Sequence, residues 1–402
     1  MLNTFSVLKP HLKFKNSFVS IDNLAFKFHY RATFAILLVC TLLVTSRQYV
    51  GEHIRCITGS SIPEHVINTF CFFTTTFTVI KHFNETLLQD SSVPHPGVGH
   101  MINEDPVKYH AYYQWVPFVL FLQALMFYFP HYIWKTMEGG KIRKLADGLR
   151  MVELSHYYKE NNSVTFDTKY TLHSKSEIDK KILQVRNAFE RHRIINHLWA
   201  FKLVFCEFLN LINVLIQVRY TNKFLSGRFY HLGIDFINED FDGTMDVLDT
   251  VFPKVTKCHF HKYGHSGTIQ KHDALCVMAL NVINEKIFSF LWFWYGILVL
   301  VSICALIWRI QTYWLHGRST RFNEIVFSFA CPGNLSKSDI GILTRQYKFS
   351  DWLFLYYLAR NMDAHLFKSL FRCIMTPIVD VEATLTSKLI EDSQYNENAR
   401  EN

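Results

Sequence analysis

One uncharged stretch of 22 residues, YQWVPFVLFLQALMFYFPHYIW from Tyr113 to Trp134, constrains the fold more than any other feature of the chain. A bilayer core about 30 Å thick is crossed by roughly 20 helical residues. In a buried β-strand, Pro117 and Pro130 would each remove a hydrogen bond from the sheet. The stretch therefore predicts a membrane-spanning helix.

Three further apolar runs lie near residues 32–45, 198–218 and 287–308, with long charged stretches between the runs. Charged residues make up 19% of the chain, against about 25% in soluble domains. We predict a mainly α-helical membrane protein built on a four-transmembrane-helix bundle. The alternative is a soluble protein in which the four runs are core helices.

Pro117 allows two interpretations. In the first turn of the second span it would cost little, because the N–H that proline lacks has no helical partner there. If the helix begins earlier, near Tyr109, Pro117 would instead produce a kink. We therefore consider Pro117 a candidate hinge of the second span.

The distribution of basic residues predicts the orientation in the membrane. Residues 135–202 carry 14 Lys or Arg, whereas residues 47–112 carry only four. Basic flanks remain in the cytoplasm, so we expect cytoplasmic N- and C-termini in a multi-pass plasma-membrane protein. The net charge of +8 then reflects topology, and we expect membrane lipids and no nucleic acid as partners.

These observations divide the chain into nine segments. In order they are an N-terminal cytoplasmic or pore segment (1–27), span 1 (28–46), extracellular loop 1 (47–112), span 2 (113–134), a cytoplasmic loop (135–197), span 3 (198–220), extracellular loop 2 (221–286), span 4 (287–309) and a cytoplasmic helical domain with a disordered tail (310–402).

Four of the nine cysteines fall in the predicted outer loops, two in each loop. They are Cys56, Cys71, Cys258 and Cys276. An oxidising compartment favours disulfide bonds between them. Four cysteines allow three connectivities, and the spacing does not choose among these.

Several short strings resemble the innexins, the invertebrate gap-junction channel proteins. The strongest are YVGE at 49–52, YQWV at 113–116 where span 2 begins, GHSG at 264–267, and NEKIF at 284–288 before span 4. Two cysteines in each outer loop complete the pattern, which covers roughly residues 15–375. The resemblance implies a channel subunit and no enzymatic activity.

The resemblance also implies an architecture. The expected fold is the four-helix bundle with a disulfide-linked α/β extracellular lobe and a helical cytoplasmic dome. Subunits would form a homo-oligomeric ring of eight, or a hetero-oligomer with other innexins, around a central pore. Opposed rings would dock at a cell junction. Within the lobe, the implied disulfides are Cys56–Cys276 and Cys71–Cys258. The N-terminal segment would line the pore entrance with Phe5, Val7, Leu8 and Leu12.

Span 3 carries polar residues at helical spacings of three, three and four. These are Glu207, Asn210, Asn213 and Gln217. Such a stripe is unfavourable against lipid, so it should face the bundle, a neighbouring subunit or water. Interhelical hydrogen bonding and direct pore lining are both open.

Two features of the outer loops bear on docking and on metals. Asn84 begins an N-glycosylation sequon, and an occupied Asn84 facing the opposite cell would leave an undocked hemichannel. The segment 258–276 contains two cysteines and four histidines, a composition that zinc can use. Oxidised cysteines are not ligands, however, so we expect neither a metal nor another cofactor.

The leading hypothesis is a large-pore channel that passes ions and small solutes between cells, or between the cell and the exterior. A transporter or enzyme would need ionisable residues converging at mid-membrane, and span 3 offers Glu207 alone. A non-conducting four-span adhesion protein is the remaining alternative.

Overall fold

A computed structural model describes the chain in separate ranges. These are residues 20–51, 54–59, 62–83, 95–102, 105–146, 175–191, 193–237, 247–331 and 335–376. The chain divides into two compact units. The sheet unit comprises residues 24–132 and 207–305, and the helical unit comprises residues 1–23, 133–206 and 306–402.

Within the described residues, four helices are long and apolar enough to cross a membrane. They are Leu24–Tyr49, Val116–Glu138, Asn196–Phe224 and Ala279–Leu315. The first consists of α1 (Leu24–Lys27), a π-helical turn (Phe28–Thr33) and α2 (Phe34–Val50). The others belong to α4 (Val116–Glu138), α7 (Arg193–Phe224) and α9 (Ala279–Leu315).

The helix ends differ from the predicted span boundaries. α4 begins at Val116 rather than at 113, because Tyr112–Gln114 forms a short 3₁₀ helix that packs within the sheet unit. α9 begins at Ala279 rather than at 287 and continues to Leu315. Hydropathy locates the lipid-facing part of a helix, whereas polar turns held by protein contacts extend it further.

Among its described residues, the sheet unit contains five antiparallel strands in the order β1–β5–β4–β2–β3. The strands are β1 (Arg55–Ile57), β2 (Thr76–Val79), β3 (Val107–His110), β4 (Val255–Tyr263) and β5 (Ile269–Val277). Helix α3 (Glu64–Phe73) lies between β1 and β2 in the chain, and α8 (Phe229–Ile237) follows α7.

The β4–β5 hairpin is the longest feature of this sheet. Its register runs from Val255 opposite Val277 to Tyr263 opposite Ile269. Gly267 closes the turn with a φ of +81°, a left-handed conformation that glycine adopts without a Cβ penalty. The hairpin thus extends well beyond the single β2–β4 pair at Phe77 and Lys257.

The helical unit contains helices of 6 to 17 residues, the last four of which follow one another closely in the chain. They are α5 (Lys141–Ala146), α6 (Lys175–Arg191), α10 (Thr320–Ala330), α11 (Lys337–Gln346), α12 (Phe349–Ala359) and α13 (Ala364–Met375). α6 lies in the predicted cytoplasmic loop, and α10 to α13 lie in the segment predicted as a cytoplasmic helical domain.

An asparagine joins three parts of the helical unit. Asn323 is fully buried and donates hydrogen bonds to the His316 carbonyl at 2.7 Å and the Thr344 hydroxyl at 2.9 Å. Its Oδ1 accepts from the Trp352 indole N–H at 2.9 Å. Around it, aromatic rings stack, with Trp352 and Tyr356 nearly parallel at 5.9 Å. These contacts satisfy the side-chain amide of Asn323 and hold α10, α11 and α12 together.

Candidate functional site

The four outer-loop cysteines meet in two pairs in the sheet unit. The β1–β5 register places Cys56 directly opposite Cys276, and their sulfur atoms lie 2.06 Å apart. Cys71 on α3 and Cys258 on β4 have sulfur atoms 1.99 Å apart. All four side chains are at most 1% exposed. This is the pairing that the family resemblance implies.

These two cross-links close very long loops. The cysteines are separated by 220 residues in the first pair and 187 in the second. In the chain-entropy model, closing a loop of that size stabilises the fold by about 5 kcal/mol. The three-residue strand β1 and helix α3 are therefore held to the hairpin covalently.

The YQW string at the start of α4 binds the end of α3. The Gln114 amide donates to the Phe72 carbonyl at 2.6 Å. The buried Tyr113 hydroxyl lies 3.4 Å from the carbonyl oxygens of Cys71 and Phe72. Carbonyl groups at a helix C-terminus lack intrahelical partners, so these side chains supply donors beside a disulfide cysteine.

The first turns of α9, which contain the NEK string at 284–286, are anchored in the same unit. Asn281 donates its amide to the Pro253 carbonyl at 2.8 Å. The Glu285 carboxylate is 1% exposed and lies 3.4 Å from the Lys254 ammonium, which also contacts Asp249 at 3.0 Å. A buried carboxylate requires such a partner. The sequence motif thus has a structural basis that hydropathy does not reveal.

The polar stripe on α7 is buried within the subunit. Glu207, Asn210, Asn213 and Gln217 are between 3% and 6% exposed. The Gln217 amide lies 3.4 Å from Asn213 Oδ1. This contact lies within α7 itself, so the choice between interhelical hydrogen bonding and direct pore lining stays a prediction.

A second polar network joins three spans and was not predicted. The Gln123 amide of α4 donates to the Thr221 hydroxyl of α7 at 2.7 Å. Its carbonyl oxygen accepts from the Tyr295 hydroxyl of α9 at 3.2 Å. Gln123 was visible in the sequence as the polar residue in the middle of an uncharged span. Polar side chains that bond across helices fix the packing of a bundle in lipid.

The histidines of the sheet unit occupy different environments. His110 on β3 is 2% exposed, and its Nε2 lies 2.8 Å from the Thr78 hydroxyl. Burial, and to a smaller extent the nearby Lys108, together lower the pKa of His110 to about 4. Burial also lowers the pKa of His259, although Asp273, at 3.3 Å, opposes that shift.

The remaining predicted site residues are placed as follows. Pro117 is the second residue of α4, so the geometry is that of a first-turn proline rather than of a mid-helix kink. Asn84 and the pore candidates Phe5, Val7, Leu8 and Leu12 lie outside the described residues. The hinge, glycan and pore-lining assignments stay predictions.

Comparison with known proteins identifies the family. The innexin family model matches residues 22–378. The chain belongs to the innexin family. This innexin is 49% identical to Innexin inx7 of Drosophila melanogaster over 369 residues, which cover 92% of this chain and 83% of that protein. It is 40% identical to Innexin inx3 of the same species, over 88% of this chain and 83% of the relative.

A third relative, Innexin inx2 of Schistocerca americana, is 39% identical and is covered over 96% of its length, with 92% of this chain matched. Because innexins are channel proteins of gap junctions, this innexin is a gap-junction channel subunit and not an enzyme. Its four span-capable helices agree with a membrane location.

Proposed function

We propose that this innexin forms a ring of eight subunits, alone or with other innexins, around a central pore. Two such rings, docked across the gap between neighbouring plasma membranes, pass ions and small solutes. The observation that carries this proposal is the family match over residues 22–378. Large apolar side chains exposed on the spans support assembly in lipid, including Leu42 at 67%, Phe118 at 60% and Leu300 at 64%.

In this proposal the disulfide-linked sheet lies outside the cell and both termini lie in the cytoplasm. The paired cysteines require an oxidising compartment, and the basic flanks of the spans require a cytoplasmic side. The segment with Phe5, Val7, Leu8 and Leu12 then lies at the cytoplasmic entrance of the pore, where it narrows the passage.

The free end of the β4–β5 hairpin is the proposed docking surface. Tyr263 is 75% exposed and Ile269 is 62% exposed. The turn between them contains Ser266 and Thr268, whose hydroxyl groups lie 3.3 Å apart. Docked rings need exposed hydrogen-bonding groups and apolar side chains that fit their own copies in an opposed ring.

Electrical recording from paired and single cells tests this function. Pairs expressing the chain should show junctional current and dye transfer, and single cells should show hemichannel current. Tyr263→Glu should abolish coupling between paired cells while preserving hemichannel current and surface delivery. If Tyr263→Glu abolished the hemichannel current as well as the junctional current, the docking assignment would be contradicted. If the unmodified chain reached the surface normally but carried no current, the channel function itself would be contradicted.

Asn84→Gln resolves whether a glycan controls docking. If Asn84 carries a glycan facing the opposed ring, removal of the sequon should raise coupling while hemichannel current stays constant. Unchanged coupling together with an unchanged electrophoretic mobility would contradict the glycan.

A further inference from the structure

A cavity of about 700 Å³ lies in the helical unit, beside the last turn of α9. One wall is formed by α7, with Phe201 and Val204. Another is formed by the end of α9, with Tyr313 and Trp314. The gap-junction function assigns no role to this cavity.

The apolar side of the cavity is open to the surroundings. Phe201 is 66% exposed, Tyr313 58% and Trp314 60%. Tyr313 and Trp314 follow directly on the apolar length of α9, and tryptophan and tyrosine concentrate where a span meets the headgroup region. In the proposed topology this wall would lie at the depth where lipid acyl chains meet their headgroups.

The other side of the cavity is basic. Arg318 and Lys348 line it, and the Arg318 guanidinium lies 5.6 Å from the centre of the Trp314 ring. His197 and His316 line it as well, and none of the described residues lining the cavity is acidic. The nearby carboxylate of Asp351 contacts Arg193 at 3.5 Å.

A helix N-terminus adds to the positive potential. The residues Lys348, Phe349 and Ser350 line the cavity and form the start of α12, a helix of 11 residues. The first N–H groups of a helix and its dipole favour an anion. Two cationic side chains and this terminus thus line the same cavity as the aromatic side chains.

We propose that this cavity binds one anionic phospholipid. The phosphate-bearing headgroup contacts Arg318 and Lys348, and an acyl chain lies along Phe201, Val204 and Trp314. Basic pockets beside span ends hold such headgroups in membrane proteins. The charge of the cavity favours an anionic lipid over a neighbouring copy of the chain, because the rim offers cations without a matching acid.

Lipid binding to the full chain in detergent tests the headgroup contact. The probes are phosphatidylcholine, phosphatidylserine and phosphatidylinositol 4,5-bisphosphate, measured by native mass spectrometry and by fluorescent-lipid titration. The double variant R318Q/K348Q should bind the anionic lipids roughly 25-fold more weakly, since each basic residue near a membrane surface contributes about fivefold. The matched control R345Q/K368Q removes two exposed charges of the same unit and should bind as the unmodified chain does.

Two further arms distinguish a lipid from a free phosphate compound. Val204→Trp fills the apolar wall and should weaken binding of the lipids, whereas Phe205→Trp, on the neighbouring residue outside the cavity, should not. Soluble inositol trisphosphate should compete poorly because it lacks acyl chains. Thermal unfolding of each variant checks that the fold is retained.

Several results would overturn the proposal. These are equal binding of phosphatidylcholine, unchanged binding by R318Q/K348Q, and full competition by the soluble headgroup. Density for a neighbouring subunit in the cavity of the assembled channel would overturn it as well.

Discussion

The sheet unit and the helical unit achieve stability by different means. In the sheet unit, two cysteine pairs join segments that lie 220 and 187 residues apart in the chain. In the helical unit, Cys331 and Cys373 are free thiols, and burial raises the pKa of both. Aromatic packing around Trp352 takes the place of covalent links there.

The difference follows from how much apolar area the contacting segments bury, and not from sequence distance alone. In the helical unit α6 also meets α13 across 190 residues, where Arg186 donates to the Thr376 carbonyl. Strand β1 has three residues and pairs with β5, more than 200 residues later. So short a strand buries little apolar area, and a cross-link lowers the entropy of the unfolded chain instead. α10 to α13 follow one another along the chain, so packing suffices. A free thiol with a raised pKa is also less reactive.

The largest expected effect comes from removing one of the two disulfide bonds. Cys71→Ala opens the second loop and leaves Cys258 without a partner, at a cost of about 5 kcal/mol. We expect retention in the secretory pathway and complete loss of coupling between paired cells. Cys373→Ala in the helical unit is the matched control and should couple normally. Full coupling between cells that express Cys71→Ala would show that the Cys71–Cys258 disulfide is not needed for the folded channel.

The corresponding disruption of the helical unit is Trp352→Ala. Trp352 is 2% exposed, and its indole N–H binds Asn323. Trp352→Ala should lower the free energy of unfolding by about 3–5 kcal/mol. Faster hydrogen exchange in α10 and α12 of the purified protein would measure this loss. Phe329→Ala, at an 83% exposed position of α10, should leave exchange unchanged. A tolerated Trp352→Ala would show that aromatic packing is not what stabilises this unit.

Acid should weaken the sheet unit through His110. Its pKa is about 4 in the folded protein, below the ordinary value near 6.5. Between these values the unfolded chain binds a proton that the folded chain does not, so stability falls as pH falls from about 6.5 to 4 and then levels off. Over this range the free energy of unfolding falls by about 3 kcal/mol.

His110→Gln keeps a partner for Thr78 and should remove this part of the pH dependence. Thermal unfolding of the full chain across the pH range measures it, and His65→Gln on α3 is the control. An identical pH profile in His110→Gln and the unmodified protein would contradict the assignment.

The smallest predicted effect concerns the network between spans. A double-mutant cycle of Gln123→Leu and Thr221→Val should give a coupling energy of about 0.6 kcal/mol, and at most about 1.7. Unfolding in detergent or bicelles measures it. Thr41→Val removes a hydroxyl that bonds within its own helix, so it should show no coupling to Gln123→Leu. A zero coupling energy for the main pair would mean that the network contributes nothing to bundle packing.

Hydropathy predicted the four spans because the thickness of the hydrocarbon layer sets their length. It could not predict that α9 begins at Ala279, since Asn281 and Glu285 are held by Pro253 and Lys254 rather than by lipid. α4 begins three residues after the predicted span boundary for a related reason. Tyr113 and Gln114 are uncharged, yet they bind the end of α3.

The cysteine pairing came from the family resemblance and not from spacing. Three connectivities fitted the count, and the β1–β5 register that places Cys56 opposite Cys276 depends on long-range folding. The partners of Gln123 likewise lie 98 and 172 residues away. A polar residue in a span shows that a partner is needed without showing which residue it is.

Peptide mapping of the full chain, purified from cell membranes with its free thiols alkylated before any reduction, tests the central contrast most directly. We predict peptides linked through Cys56–Cys276 and Cys71–Cys258, together with alkylated Cys331 and Cys373. Alkylated Cys56 or Cys276, or a disulfide that includes Cys331 or Cys373, would contradict it.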